Sequence, residues 1–377
     1  MENYVSAQLL LLGQAALLGM LGGVVYDLLR PLRRGRLIHL TDALFTGGGL
    51  VLMVWFLTAV SRGEARLFLL LGACGGAGLY FLLLAPLLPG IIARIKAKVA
   101  GRHGKPVLQL YFDIFKGLRK GEVISQVTTP VFTLGPVVGL ATVLCALALL
   151  PLGGMASPLR FSGDFLLAAY LLGLGRFLTM LAALDTGSSF EGMGASREAA
   201  FSALSEPVLF LCLLTLVGVG STLGMHDALS LSGMLGGRPA HEWLLGRAEL
   251  LLVPVVFFVL LLVENSRIPV DDPTTHLELT MIHEVMILDH SGPSLSFIEY
   301  GAALKLWFFA ALPAGILVPD LPLWQQSLCW LACIFAVAVL VGIVESVMAR
   351  LRMQKVPVLL GGAAVLSALA LILTQVR

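Results

Sequence analysis

Three ionisable side chains lie inside long apolar runs of this sequence. Arg176 and Glu206 lie deepest, and Glu345 follows. A charge at the centre of a bilayer costs roughly 2.5–3.5 kcal/mol, so we expect these groups to face the interior of a helix bundle and to be paired or hydrated. Two interpretations stay open: a buried polar path for protons or another cation, and a structural ion pair between Arg176 and Glu206. Glu264 and Lys305 lie nearer the ends of such runs, and these two side chains and that of Glu345 could instead extend towards the membrane surface.

A second set of titratable side chains lies between residues 264 and 300. This segment carries many carboxylates against a single arginine, Arg267. A unit charge about 8 Å away at an effective dielectric near 20 changes the protonation free energy of a carboxylate by roughly 2 kcal/mol. This change corresponds to more than one pKa unit. A change of charge on a partner could therefore change the protonation of this segment. The carboxylates are Glu264, Asp271, Asp272, Glu278, Glu284, Asp289 and Glu299.

Three histidines in the same segment, His276, His283 and His290, recur every seven residues. On a helix this spacing would place them near one face. The alternatives are a metal site, pairing with carboxylates or solvent, and a proton relay. His283–Glu284 is not followed by a histidine at the spacing of the zinc-protease motif, and no cysteine is near. We therefore expect solvated or carboxylate-paired histidines, no metal ligands and no catalytic residues.

Lipid must be the solvent for most of this chain. Of its 377 residues 58% are apolar and only 13% charged, and the mean hydropathy is +0.93. Apolar stretches long enough to cross a hydrocarbon core of about 30 Å predict an all-α integral membrane protein of about ten transmembrane helices. The predicted spans are residues 8–29, 41–60, 67–92, 130–153, 164–184, 203–223, 247–265, 301–319, 326–346 and 356–375.

The loops between these spans alternate in charge. Most of the 25 lysines and arginines lie in one alternate set, at residues 30–36, 94–120, 197, 267 and 350–355. By the positive-inside rule this set faces the cytoplasm, which places both termini outside a multi-pass protein of the cell membrane. A net charge of +2 gives no reason to expect a nucleic-acid partner. The bilayer itself is an expected partner.

The first long loop of that set contains an amphipathic stretch. Basic residues at 102–105 lead into residues 109–122, where apolar and charged side chains alternate with helical spacing. Taken alone, this pattern predicts an interfacial helix that binds lipid headgroups.

Four blocks of residues, in this order, resemble one known family. They are Gln109, Tyr111, Asp113, Lys116 and Glu122; Leu184–Phe190, Gly192–Glu198 and Glu206–Pro207; Glu264, Asn265, Arg267–Pro269, Asp271, Glu278, Glu284, Ser291, Gly292, Glu299 and Tyr300; and Glu345, Ala349, Arg350 and Arg352. The blocks resemble the membrane-anchor subunit of formate hydrogenlyase and related energy-converting nickel–iron hydrogenases. That subunit belongs to the family of subunit 1 of respiratory complex I, which is the quinone-site subunit.

The resemblance implies an eight-helix bundle over about residues 67–377. It also implies a non-catalytic subunit that docks a peripheral redox arm and couples electron transfer to proton or cation translocation. The implied partners are hydrophilic hydrogenase-like or complex I-like subunits with iron–sulfur clusters, and antiporter-like membrane subunits. No cofactor is expected on this chain itself, and a quinone would lie only at the interface with a partner.

The resemblance also assigns roles to residues. Those expected to handle protons are Glu206, Glu264, Asp271, Asp272, Glu278, Glu284, Glu299 and Glu345. Those expected to dock or orient a partner are Arg102, Asp113, Arg197 and Arg267.

Residues 1–66 lie outside that resemblance and are predicted to form a separate two-helix membrane extension. Their motifs resemble the spore cortex biosynthesis membrane protein of endospore formers, continuing to about Leu84. Two other functions therefore stay open, a sporulation membrane scaffold and a self-contained secondary ion transporter, although no repeat between the halves is evident. The motifs are Tyr4–Ser6 with Gln8–Leu9, Tyr26–Arg30, and Gly63–Glu64 with Arg66.

Overall fold

A computed structural model describes residues 82–376, apart from residues 158, 226, 237–241, 243–246, 248 and 272–280. Within this part the chain is helical and contains no strand, only an isolated bridge between Leu152 and Met155. The helices are α1 (Leu87–Val99), α2 (Gln109–Leu118), α3 (Pro130–Ala148), α4 (Asp164–Asp185), α5 (Ser189–Thr222), α6 (Leu231–Met234), α7 (Glu249–Glu264), α8 (His283–Met286), α9 (Gly292–Leu317), α10 (Leu323–Val347) and α11 (Val356–Val376).

Six of these helices, α3, α4, α5, α9, α10 and α11, are long and apolar enough to cross a membrane. The apolar α7 has 16 residues and spans about 24 Å at 1.5 Å per residue. The predicted fold class, an all-α multi-pass membrane protein, is confirmed. The predicted spans 8–29 and 41–60, and most of 67–92, lie outside the described residues.

The predicted starts of two spans are wrong. We predicted spans from residues 203 and 301, but α5 begins at Ser189 and α9 at Gly292. Hydropathy detects only the apolar part of a helix, whereas these helices continue through polar turns. Glu191, for example, lies in the first turn of α5 and is buried.

Helix α9 is the centre of the bundle. Its second half is almost entirely buried, and it packs against α3, α7, α10 and α2. Helix α3 also packs closely along α4, where small residues bring the two backbones together. A Cβ atom on Gly175 would lie only 2.6 Å from the Thr142 hydroxyl. Large apolar side chains on the outer faces of the other spans remain exposed, as expected where lipid is the solvent.

One end of the bundle collects most of the basic loops, and we call it the basic end. It is built from residues 94–129, 185–198, 264–271, 281–300 and 345–355. Thr129 caps α3 here, and its N–H and hydroxyl donate to the Asp185 carboxylate at 2.7 and 2.9 Å. At the opposite end the Asp164 carboxylate accepts from the Ser230 hydroxyl and the Leu231 N–H, both at 2.7 Å.

Candidate functional site

A network of ion pairs joins four helices of the bundle. Arg176 on α4 lies 2.7 Å from Glu264 at the end of α7 and 2.8 Å from Glu206 on α5. The second oxygen of Glu264 lies 3.1 Å from the Lys305 ammonium on α9. The Ser205 hydroxyl donates to Glu264 at 2.7 Å. We call Arg176, Glu206, Glu264 and Lys305 the central cluster.

Burial differs sharply between the two carboxylates of the central cluster. The Glu264 side chain is 6% exposed, so the alternative that it extends to the membrane surface is wrong. The Glu206 side chain is 48% exposed. It therefore lies at the lateral surface of the bundle, not in its interior as we predicted, and pairs there with Arg176.

Three cavities meet at Arg176 and Glu264. The inner cavity, of about 110 Å³, lies between α3, α4, α5, α7 and α9 and reaches Arg267 and His283. The lateral cavity, of about 30 Å³, is lined by Tyr170, Glu206 and Phe210 and by the central Arg176 and Glu264. The small cavity, of about 10 Å³, lies beside α5. One water needs roughly 10–15 Å³ of such space, so the inner cavity has room for several.

Glu198 is a site residue that the sequence prediction missed. Its carboxylate lines both the inner cavity and the small cavity. The charges acting on it are those of Lys305, Glu264, Arg176 and Asp271. The available signal was its spacing: Glu198, Ser202 and Ser205 recur at i, i+4 and i+7, which places them on one face of a helix.

Asp271 is held in place rather than free at a surface. One of its oxygens lies 2.9 Å from the Arg350 guanidinium. The other accepts hydrogen bonds from the backbone N–H groups of Ile282 at 2.9 Å and His283 at 3.3 Å. The side chain thereby ties the start of α8 to the segment after α10.

Glu345 forms a second buried ionic group near the basic end. It is 5% exposed and lies 2.9 Å from the Lys96 ammonium and 3.6 Å from Arg267. It is therefore paired, and the alternative that it extends to the membrane surface is wrong.

Glu284 lies where several carboxylates act on one another. Burial raises the pKa of Glu284 to about 7, helped by the negative charges of Asp271 and Glu299 and opposed by Arg267. Glu299 lies in the first part of α9, and the charge of Asp113 acts on it in turn. These interacting carboxylates extend from the surface of the basic end towards Glu198.

Of the three histidines spaced by seven residues, His283 and His290 are described, and they do not share a helix face, because α8 ends at Met286 before His290. Burial lowers the pKa of His283 to about 4, and the positive charge of Lys305 adds to this effect. Burial also lowers the pKa of His290 to about 4, and its ring stacks on Phe132 at 4.0 Å. Both imidazoles are thus neutral near pH 7. No group of three potential metal ligands occurs among the described residues.

The four predicted docking or orienting residues fall into two classes. Arg102 is exposed, and Asp113 is exposed on α2, where it accepts from the Gln109 amide at 2.9 Å. Arg197 donates to the Met281 carbonyl at 2.8 Å, and the Arg267 side chain is only 17% exposed. Arg197 and Arg267 therefore contact and orient other segments of this same chain. The predicted proton-handling residues Asp272 and Glu278, and also His276, lie outside the described residues.

Comparison with known sequences places this helix bundle in a family. The family described as NADH dehydrogenase matches residues 76–376. This chain belongs to the NADH dehydrogenase family. The resemblance inferred from the four blocks is thereby confirmed, with a start nine residues later than predicted. A second family, described as spore cortex protein YabQ, matches residues 12–85.

Curated relatives of this NADH dehydrogenase family member include two proteins of Escherichia coli K12. Hydrogenase-4 component C is 31% identical over 279 residues, which cover 72% of this chain and 85% of that protein. Formate hydrogenlyase subunit 4 is 29% identical over 286 residues, which cover 72% of this chain and 88% of that protein.

A solved structure also shares the fold. It belongs to the membrane-bound sulfane sulfur reductase, an archaeal respiratory membrane complex, and matches with a TM-score of 0.68 at 19% identity. The match covers 79% of this chain and 96% of the other. At this identity the likeness concerns the fold alone.

Proposed function

We propose that this chain is the membrane subunit that couples a peripheral redox unit to ion translocation in an energy-converting hydrogenase or complex I-like assembly. The observation that carries the proposal is the central cluster, which joins an inner cavity near the basic end to a half-exposed carboxylate on the lateral surface. The family membership and the two hydrogenase-complex relatives support the same assignment.

The proposed coupling is electrostatic. A redox unit docked on the basic end changes its charge during turnover, and the carboxylates Asp113, Glu299, Glu284 and Asp271 lie between that surface and Glu198. A unit charge about 8 Å away at an effective dielectric near 20 alters a carboxylate's protonation free energy by roughly 2 kcal/mol. This is enough to move a proton on or off Glu284, because its pKa of about 7 already lies near the working pH.

Glu206 would pass the ion to a neighbouring membrane subunit. A carboxylate facing lipid at mid-bilayer costs roughly 2.5–3.5 kcal/mol, and the Glu206 side chain is half-exposed on an apolar surface. A polar membrane partner on the α4–α5 face, of the antiporter-like class, would remove that cost. The basic end would receive the hydrophilic subunits with iron–sulfur clusters.

A quinone would lie at the interface with a partner and not inside this chain. Arg176, Glu264 and Lys305 in the inner cavity are held in ion pairs with one another, and Phe297 is the one benzene ring among its described lining residues. Such a lining suits water and protons better than a flat quinone ring. No step of the proposed coupling passes through a quinone.

We further propose that the protein lies in the cytoplasmic membrane, with the basic end facing the cytoplasm and both termini outside. This orientation follows from the positive-inside rule.

The proposal is tested by replacing Glu206 with Gln in the assembled complex in proteoliposomes. Arg176 keeps its pair with Glu264, so assembly and electron transfer in the presence of an ionophore should remain. Ion transfer coupled to electron transfer should fall by about 100-fold, as for loss of a positioned proton-transfer group. Asp320→Asn, an exposed carboxylate at the opposite end, is the matched control. Full coupled ion transfer by Glu206→Gln would remove Glu206 from the path.

A second function, in sporulation, is proposed for the N-terminal part, on the match of residues 12–85 to the spore cortex protein family. A chain lacking residues 1–66 should keep redox coupling and lose the spore phenotype. Loss of coupling together with normal spores would contradict both this role and the proposed boundary at residue 66.

A further inference from the structure

The charges of the central cluster balance one another. Arg176 and Lys305 carry two positive charges, and Glu206 and Glu264 carry two negative charges. An ionised Glu198 therefore adds one unbalanced negative charge beside this cluster. Protonation of Glu198 is the change that restores balance without breaking an ion pair.

Glu264 is fixed in its ionised form by its contacts. One oxygen meets the Arg176 guanidinium and the Ser205 hydroxyl, both at 2.7 Å, and the other meets the Lys305 ammonium at 3.1 Å. Adding a proton to Glu264 would cost these charge-assisted contacts and leave two buried cations without their shared anion.

Glu198 has the opposite surroundings. No hydrogen bond or ion pair joins its carboxylate to another residue of the described part of the chain, although it faces two cavities at once. The small cavity continues along the same face of α5 past Ser202 and Ser205 to Glu264. On the other side the inner cavity reaches His283 and Arg267 near the basic end.

We propose that Glu198 is the group that takes up and releases the proton in this site, while Glu264 stays ionised and holds the two cations in place. The inference rests on the proposed function and names the residue that performs its central step. A hydronium ion in the inner cavity gives its proton to the Glu198 carboxylate and becomes water. The neutral carboxyl group then gives the proton to a water on the small-cavity side, and the carboxylate is restored.

The charged groups that face Glu198 decide when it takes up and releases the proton. Arg176 on α4 and Lys305 on α9 favour the ionised form, whereas Glu264 on α7 and Asp271 before α8 favour the neutral form. His283 on α8 lines the same cavity. Negative charge arriving at the basic end would favour protonation, and its removal would favour release.

The test compares three variants of the assembled complex in proteoliposomes. Glu198→Gln removes the proton site, Glu198→Asp keeps a shortened one, and Glu191→Gln is the control. Glu191 is a buried carboxylate seven residues earlier on α5, which accepts from the Asp289 N–H at 3.2 Å and lines none of the three cavities. The measurements are coupled ion transfer, electron transfer with an ionophore, and the infrared band of a protonated carboxyl group during turnover.

Glu198→Gln should assemble, keep electron transfer with the ionophore, lose the carboxyl band and lower coupled ion transfer by about 100-fold. Glu198→Asp should keep a measurable fraction of the wild-type coupled ion transfer. Glu191→Gln should transfer ions at the wild-type rate. Coupled transfer at the wild-type rate in Glu198→Gln would overturn the proposal, as would failure of both Glu198 variants to assemble, which would make the residue structural.

If the wild-type complex moves no ion, the proposed function itself falls. If Glu206→Gln stops transfer and Glu198→Gln does not, only this inference falls.

Discussion

Glu198, Glu206, Glu264 and Glu284 have the same side chain in four different environments. Glu264 is buried in contact with two cations, and Glu206 is half-exposed at a lateral surface. Glu198 faces water-sized space without a close partner, and Glu284 is surrounded by carboxylates. Environment, more than residue type, decides which carboxylate can exchange a proton at neutral pH.

The raised pKa of Glu284 predicts how the free energy of unfolding depends on pH. Its pKa is about 7 in the folded chain against an ordinary value of 4.5. A carboxyl with a raised folded-state pKa stabilises the fold while protonated, and this contribution is lost as the pH rises from about 4.5 through about 7. Glu284→Gln should therefore be more stable than the wild type at pH 8 by roughly 1–3 kcal/mol, and nearly equal to it at pH 4.5.

The measurement is the thermal unfolding temperature of the detergent-solubilised protein at both pH values. Asp320→Asn, at an exposed position, should keep the pH dependence of the wild type. A Glu284→Gln protein with an unchanged pH dependence would contradict the assigned environment of Glu284.

At the scale of elements, α2 presents three different faces. One face packs against α9, where the Ser296 hydroxyl meets the Ile114 carbonyl at 3.4 Å. A second is polar and carries Asp113 and Lys116. The third is apolar and open, with Phe112 and Phe115 60% and 61% exposed. An exposed apolar face beside basic residues at the end of a membrane bundle fits the boundary between headgroups and lipid chains.

This position of α2 is tested by tryptophan fluorescence. Phe115→Trp in vesicles of bromine-labelled lipid should lose much of its added fluorescence, because bromine quenches an indole that it contacts. Asp113→Trp, on the polar face of the same helix, should keep its fluorescence. Quenching of neither residue in the isolated chain would mean that the apolar face avoids lipid and is a surface for another protein.

At the scale of the molecule, the two ends of the bundle differ in charge and in structure. The basic end carries most of the cations and the interacting carboxylates, whereas at the opposite end the Asp164 carboxylate ties the start of α4 to Ser230 and Leu231 at the start of α6. The central cluster lies between the ends and opens sideways at Glu206. This arrangement fits the proposal that the molecule receives a charge at one end and passes an ion through its side.

The proposed orientation is tested by labelling single cysteines in intact cells, in a variant whose five native cysteines are replaced by serine. Asp320→Cys, exposed at the opposite end, should react with a maleimide that does not cross membranes. Ser125→Cys, exposed at the basic end, should react only after the cells are opened. The reverse pattern would invert the orientation and place the redox partner outside the cell.

The sequence by itself determined the membrane setting, most helix positions and the family. Apolar runs long enough to cross a bilayer favour helix, because a helix satisfies the backbone polar groups within the segment where they find no water. The ion pair between the deep charges Arg176 and Glu206 was one of the two interpretations that the sequence left open, and the structure contains it. The predicted domain boundary at residue 66 and the roles of the site residues remain predictions.

Only the tertiary structure decided where each charge points. The polar turns that extend α5 back to Ser189 carry Glu198, and their helical state depends on packing against α8, where Gly194 approaches Val285. The rotation of α5 then turns Glu198 towards the inner cavity and leaves Glu206 at the lateral surface. Such rotations follow from contacts between residues far apart in the chain, and the hydropathy of a local segment contains no information about them.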